Sequence, residues 1–305
     1  MFLPLGDNVE HDRPPFAGFA IILGCTAVWL HSFQLGFRDP SHESFFQFLQ
    51  TWGLSGKGLA DGRIIGLFTH MWLHADFFHL LGNMFVLCAF MWTLEGVLGS
   101  GQFLFLYGLS GLLAGGLHAA LGWGSSVPMV GASGAIAGVM GAYFLKFGPM
   151  TSIRCLMFFF GRPVRFEVPS VVFVMVWLLL QLYGVMTSED HGGGVAWLAH
   201  GVGFGVGSLL MLILYDESRC RVDCDRDGQL VIVDETRAKP QAPPPAKFEL
   251  DTACEIQQCT TCGTPLDEKC RIAAGLWKCP NPACVRLNYG FSAPAAPVAA
   301  GRNGA

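Results

Sequence analysis

The chain has 305 residues, 52% of them hydrophobic and 14% charged, a charged share far below the roughly one quarter usual for soluble domains. That balance excludes an ordinary water-soluble domain of this length and calls for a membrane. The net charge of −4 at pH 7 is too small to single out nucleic acid or another polyanion as a partner.

Apolar runs of about 17 to 25 residues, enough to cross a hydrocarbon core of about 30 Å, fall at 16–33, 77–95, 103–122, 132–148, 168–186 and 194–214. They predict an all-α polytopic membrane domain of six helices over 16–215, preceded by an N-terminal tail, 1–15. The first run does not read as a cleavable leader. Asp7, Glu10 and Asp12 precede it where basic residues belong, and Trp29 and His31 stand where small cleavage-site residues belong. The loop at 34–76 carries ESFFQFLQTW, Glu43 to Trp52, whose clustered aromatics fit an interfacial segment or a packed loop equally.

Orientation follows from Lys and Arg in the flanks, because these residues resist translocation. With the N-terminus inside, the inner flanks hold Arg13, Lys146, Arg154, Arg162, Arg165, Arg219, Arg221 and Arg226, against Arg38, Lys57 and Arg63 outside. Both termini are therefore expected in the cytoplasm, with the bacterial inner membrane as the location. No repeat relates two halves of the chain, and the span interiors lack Asp, Lys and Arg, so ion-coupled transport has little support.

A few polar groups remain inside the runs: His79 and Asn83 in the second, Ser133 in the fourth and His200 in the sixth. Unpaired, each would cost several kcal/mol in lipid, so they are expected to face one another or a wet cavity. Helical spacing puts Ala137 and Gly141 on the face of Ser133, and Gly203 and Gly207 on that of His200. Such small-residue faces let two membrane helices approach to backbone contact, which would bring the serine to the histidine. The fourth run is also the shortest, bounded by Gly131 and by Gly148-Pro149, and follows an irregular GWGSSVPMV loop. Ser133 would then begin a helix below the outer surface, where irregular backbone needs a cavity.

The chemistry this predicts is acyl transfer. Ser133 attacks a peptide carbonyl while His200 takes and returns its proton, and His79, Asn83, the Ser133 N–H and Gly131 beside it form the oxyanion group. The bland alternative for each residue alone is a serine bonded to its own helix and a packing histidine; convergence of four groups argues otherwise. His70, His74, His118 and His191 are read as structural or surface residues, His74 having the site mouth as a second reading.

GASG at 131–134, HADFFHLLGNMF at 74–85, AHGVGFGVG at 199–207 and EGVLGSGQFLFLYGLSG at 95–111 resemble the motifs of the rhomboid intramembrane serine proteases over about residues 15–215. The resemblance implies a six-helix core, a Ser133–His200 dyad without an aspartate, and single-span membrane proteins as substrates, with no catalytic cofactor. Many relatives carry Phe or Tyr four residues after the serine, packed on the histidine; here Ala137 stands there, so something else must hold the imidazole. The familiar His-x-Gly-Gly run reads Gly201-Val202-Gly203 after His200. A non-catalytic binding or scaffold protein of the same fold is the competing expectation.

Beyond the last span, 216–250 is expected as a cytoplasmic linker with a short strand, LVIVDE, and a polyproline stretch, KPQAPPPAK. DCDRDGQLVIVD, Asp223 to Asp234, has calcium-loop spacing, but an Asp-Gly turn between strands fits better because no helix-forming stretch follows. Residues 251–290 carry Cys259-x2-Cys262 and Cys279-x4-Cys284, read as a zinc ribbon with four thiolate ligands for a structural zinc, against a redox or disulfide role or chance spacing as the alternatives. Such a module would serve a cytoplasmic protein partner, and 291–305 is expected as a disordered tail.

Overall fold

The computed structural model describes residues 2–39, 41–159, 161–187, 193–225 and 229–235, together with 271–273, 276–278 and 287–289. The chain divides into two units, Met1–Arg237 and Ala238–Ala305. The first contains helices α1 (Phe16–Arg38), α2 (Glu43–Trp52), α3 (Gly56–Ala60), α4 (Gly66–Thr69), α5 (Phe77–Leu98), α6 (Ser100–Leu121), α7 (Ser133–Phe147), α8 (Ser170–Thr187) and α9 (Gly193–Leu214). A 3₁₀ turn at His70–Trp72 precedes α5.

Among the described residues, four helices are long and apolar enough to cross a membrane: Phe16–Arg38, Phe77–Leu98, Ser100–Leu121 and Trp197–Leu214. Two shorter apolar helices, Ser133–Phe147 and Ser170–Gly184, coincide with the remaining runs in the sequence. The chain is an integral membrane protein. Local chemistry sets several helix ends: the Asp76 carboxylate accepts the His79 N–H at 2.9 Å and so caps α5. Gly99, with φ +78°, then turns the chain directly from α5 into α6, a conformation other residues adopt only with strain.

The short α7, about 22 Å long for its 15 residues, is the axis of the bundle. Every residue from Gly134 to Tyr143 is buried. On the α6 side, a Cβ at Gly134 would come within 2.8 Å of the Ala114 side chain, and one at Gly138 would strike Ser110. On the α9 side, a Cβ at Gly203 would strike the Gly134 carbonyl, one at Gly207 the Gly138 carbonyl, and one at Gly141 the Phe204 carbonyl. The close approach anticipated from Gly141, Gly203 and Gly207 is present. Gly134 and Gly138 share it, because the contact wraps around α7 rather than following one stripe.

The membrane helices are not the whole of this unit. Residues 1–15, expected as a tail before the first helix, carry β1 (Phe2–Asp7) and β2 (Val9–Glu10). β1 pairs antiparallel with β3 (Ser152–Phe159), which pairs with β4 (Arg162–Pro169), in the order β1-β3-β4. A second sheet, β2-β6-β5, pairs β5 (Cys220–Cys224) with β6 (Leu230–Asp234) antiparallel, and the Asp227-Gly228 turn expected between them lies outside the described residues. The hairpin at 152–169 was masked in the sequence: Ile153 and Cys155 alternate as buried positions, but Leu156 and Phe158 on the other face are also apolar, which blurs the two-residue period. In the C-terminal unit, β7 (Arg271–Ala273), β8 (Leu276–Lys278) and β9 (Leu287–Tyr289) form an antiparallel sheet in that order. Cys259, Cys262, Cys279, Cys284 and the polyproline stretch lie outside the described residues.

Two carboxylates fasten the N-terminal segment to the bundle. Glu95 accepts the Ala17 and Gly18 N–H groups at 2.9 Å each and the Ser100 hydroxyl at 2.6 Å, so one side chain caps α1 and ties it to the α5–α6 turn. Asp7, 3% exposed, accepts from the Thr93 hydroxyl of α5, the Tyr143 hydroxyl of α7 at 2.9 Å and the Val9 N–H at 3.3 Å, and contacts His11 Nε2 at 3.2 Å. Removing that carboxylate strands two buried hydroxyls. Asp7→Ala is expected to destabilise the protein by about 2–4 kcal/mol, read as an earlier thermal transition in detergent. Gly207→Ala is expected to cost about 1–3 kcal/mol by forcing α9 off α7, whereas Gly205→Ala, whose Cβ meets nothing within 4 Å, is expected to melt like the parent.

Candidate active site

Ser133 is the first residue of α7, and His200 lies on α9. Because the two helices touch backbone to backbone, the side chains meet: Ser133 Oγ lies 2.7 Å from His200 Nε2. Both residues are half-buried rather than sealed. The bundle therefore joins the two groups that the sequence singled out, one loop-to-helix junction and one helix face supplying each.

The loop before Ser133 is held by the segment between α2 and α5. Leu54 and Met129 exchange backbone hydrogen bonds at 3.0 and 2.7 Å, and the Gly131 N–H donates to the His70 carbonyl at 2.9 Å. The Gly131 N–H is thus engaged, unlike the free donor expected of an oxyanion group. What Gly131 contributes is space: its φ is +127°, and a Cβ there would fall 2.8 Å from His79 Nε2 and 3.7 Å from Ser133 Oγ. That position places His79 beside the serine.

At the start of α7, the preceding Ala132 provides no side-chain cap. The first-turn N–H groups, Ser133's included, are left without the intrahelical partners that later residues have. Asn83, one turn after His79 on α5, has its side-chain NH2 buried without a hydrogen-bond partner among the described residues. A buried, unmet amide donor costs about 1–3 kcal/mol, so it marks a place where an acceptor belongs. His74, read from the sequence as a structural or surface residue with the site mouth as a second reading, is 1% exposed, its ring stands edge-on to His79 at 5.2 Å, and neither ring nitrogen has a hydrogen-bond partner among the described residues. Burial pushes the His74 imidazole down to about 4, so it is uncharged at neutral pH. His70 is more plainly structural, its Nδ1 lying 2.9 Å from the Gly66 carbonyl. His191 lies outside the described residues.

With Ala137 in place of an aromatic, other groups hold the imidazole. The Trp177 ring of α8 lies 6.0 Å from that of His200, and Trp197, one turn earlier on α9, stands edge-on at 5.9 Å. Gly184 makes room for that indole, since a Cβ there would meet Trp197 at 2.5 Å. On the side away from Ser133, His200 Nδ1 is 2.7 Å from Gln181 Oε1. Sequence reasoning passed over Gln181, although it is a polar residue in an otherwise apolar run. That was the available signal.

Comparisons with known proteins identify the family. The family model described as Rhomboid domain matches residues 61–217, about half of the chain. A protein of Bacillus subtilis (strain 168), "Putative rhomboid protease YdcA", is 40% identical over 90 residues, which cover 28% of this chain and 43% of that relative. The chain thus aligns with less than half the length of this curated relative. The matched region runs from before α4 to the end of α9 and takes in the loop, α5, α7 and α9 that assemble the polar cluster, and on that match the chain belongs to the rhomboid family.

Proposed function

We propose that the protein is an intramembrane serine endopeptidase that cleaves transmembrane protein substrates, with Ser133 as nucleophile and His200 as general base and acid. The observation that carries this reading is the 2.7 Å contact between Ser133 Oγ and His200 Nε2 at the start of a short, enclosed helix. His200 Nε2 takes the hydroxyl proton as Oγ bonds to the scissile carbonyl carbon. The charge that develops on the carbonyl oxygen is met by the Asn83 NH2, His79 and the Ser133 N–H at the uncapped helix start, each such donor contributing about 2.7–4 kcal/mol. Collapse breaks the C–N bond, and the proton on Nε2 goes to the leaving amine. Water then enters and its oxygen bonds to the acyl carbon as Nε2 takes its proton; collapse breaks the C–Oγ bond, Oγ takes the proton back from Nε2, and the second product leaves as a carboxylic acid.

All six apolar helices are proposed to lie in the bilayer with both termini in the cytoplasm, an orientation supported by eight basic residues in the inner flanks against three in the outer. α7, at about 22 Å, is shorter than the hydrocarbon core. If its C-terminal end sits at the inner surface, Ser133 lies beneath the outer one. The location proposed is the bacterial inner membrane. In the C-terminal unit, the pairs Cys259/Cys262 and Cys279/Cys284 are proposed to hold one structural zinc, supported by thiolate spacing and by the short antiparallel strands β7–β9 that a ribbon needs. The module's proposed task is to bind a cytoplasmic protein.

Two measurements test these assignments. A fluorophosphonate probe is expected to label the purified protein, and cleavage of a reporter transmembrane protein is expected to fall by at least about a thousandfold in Ser133→Ala and in His200→Ala. Labelling that persists in Ser133→Ala removes Ser133 as the nucleophile. Elemental analysis of the full-length protein is expected to find about one zinc per chain, lost in the Cys259→Ser/Cys262→Ser variant. Less than about half an equivalent in the parent rejects the ribbon.

A further inference from the structure

We infer that Gln181 is the positioning residue of this site: by accepting a hydrogen bond from His200 Nδ1, its amide selects the imidazole tautomer that can act as a base toward Ser133. The inference rests on the protease reading and deepens it. Gln181 is buried on α8, with 8% exposure, and makes two contacts that together orient its amide. Its Nε2 donates to the Trp177 carbonyl at 3.3 Å, one turn back on the same helix, and its Oε1 lies 2.7 Å from His200 Nδ1.

The logic is one of donors and acceptors. The Trp177 carbonyl can only accept, so the NH2 of Gln181 must face it, leaving Oε1 for the imidazole. An amide oxygen can only accept, so Nδ1 must carry the hydrogen. A neutral imidazole bears one N–H, and therefore Nε2 presents its lone pair to the Ser133 hydroxyl 2.7 Å away. With the amide turned over, Nδ1 would become the acceptor, Nε2 would hold the proton, and Ser133 would face a donor that cannot deprotonate it. The carbonyl of Trp177 thus sets the amide, the amide sets the tautomer, and the tautomer makes the base.

No proton passes to Gln181. When Nε2 takes the serine proton, the Nδ1–H stays on the ring and keeps its bond to Oε1. The amide fills the place that a carboxylate takes in Ser-His-Asp enzymes, and an amide in the Cys-His-Asn arrangement. It fixes the geometry without adding a full negative charge to a low-dielectric site. The titratable groups whose charge acts on His200 are His79 of α5 and His118 of α6. Both are present in every variant below, so differences between variants report on position 181.

The test uses the full-length protein in lipid vesicles with a reporter single-span substrate. Gln181→Leu, close in shape but unable to accept a hydrogen bond, is expected to lower kcat by about 10- to 100-fold with KM changed less than about twofold. Gln181→Glu restores an acceptor for Nδ1–H and is expected to recover most of that loss. Its negative charge also favours the imidazolium, so a higher pH is needed to free Nε2, and the acid limb of the kcat profile is expected to move up by about one pH unit. A residue with a merely structural role would lower thermal stability along with activity, and its loss would not be confined to kcat or recovered by an acceptor at 181. The inference is overturned if Gln181→Leu keeps kcat within about twofold, or if Gln181→Glu is as slow as Leu with its acid limb unmoved. Thermal melting of both variants shows whether they are folded; should Leu fail to fold, Gln181→Ala, which also offers Nδ1–H no side-chain acceptor, takes its place with the same expected loss of kcat. Absence of Ser133-dependent cleavage in the parent protein instead rejects the protease reading, and this inference with it.

Discussion

The contact between α7 and α9 is the constraint on which the site depends. Glycines at 134, 138, 141, 203 and 207 bring carbonyl oxygens of one helix against Cα atoms of the other. In lipid, where hydrophobic burial does not drive helices together, packing at such distances and the absence of side-chain bulk supply the association. The benefit is positional. Two side chains as short as serine and histidine can touch only when their helices are nearly in backbone contact, and α6 closes on the opposite side of α7 through Ala114 and Ser110. A helix enclosed from Gly134 to Tyr143 has little room to rotate, so the direction of Ser133 is set by the packing below it.

Around that axis, polar groups divide into those that are satisfied and those that are not. Glu95 and Asp7 collect several donors each and hold the N-terminal strand, α1 and the helix turns in register. On α5, one turn after His79, the Asn83 NH2 is buried without a hydrogen-bond partner among the described residues. Buried unmet donors oppose folding, and the well-satisfied Glu95 and Asp7 ends offset that loss. Free donors in a water-poor setting are also what a developing negative charge requires, because they need not reorganise when it appears.

The imidazole shows how one function can be met by different residues. Lacking an aromatic side chain four residues after the serine, this chain surrounds His200 with Trp177, Trp197 and the Gln181 amide. Two of the three come from α8, so the orientation of the histidine depends on how α8 sits against α9. The small sheet β1-β3-β4 joins the α7 and α8 ends, with β3 and β4 forming the link between those helices.

By itself the sequence determined the solvent, the apolar runs, the polar residues stranded within them and the small-residue faces of α7 and α9, because each is a matter of local composition or of the 3.6-residue period. It also carried enough of the rhomboid motifs for the family to be read. It did not determine the role of Gln181, the engagement of the Gly131 N–H by His70, or the N-terminal strand anchored by Asp7. Gln181 and His200 are 19 residues apart, and Asp7 and Tyr143 are 136 apart. A hydrogen bond between distant residues leaves no periodic trace in a chain. Which donor meets which acceptor was decided only when α7, α8 and α9 closed on one another.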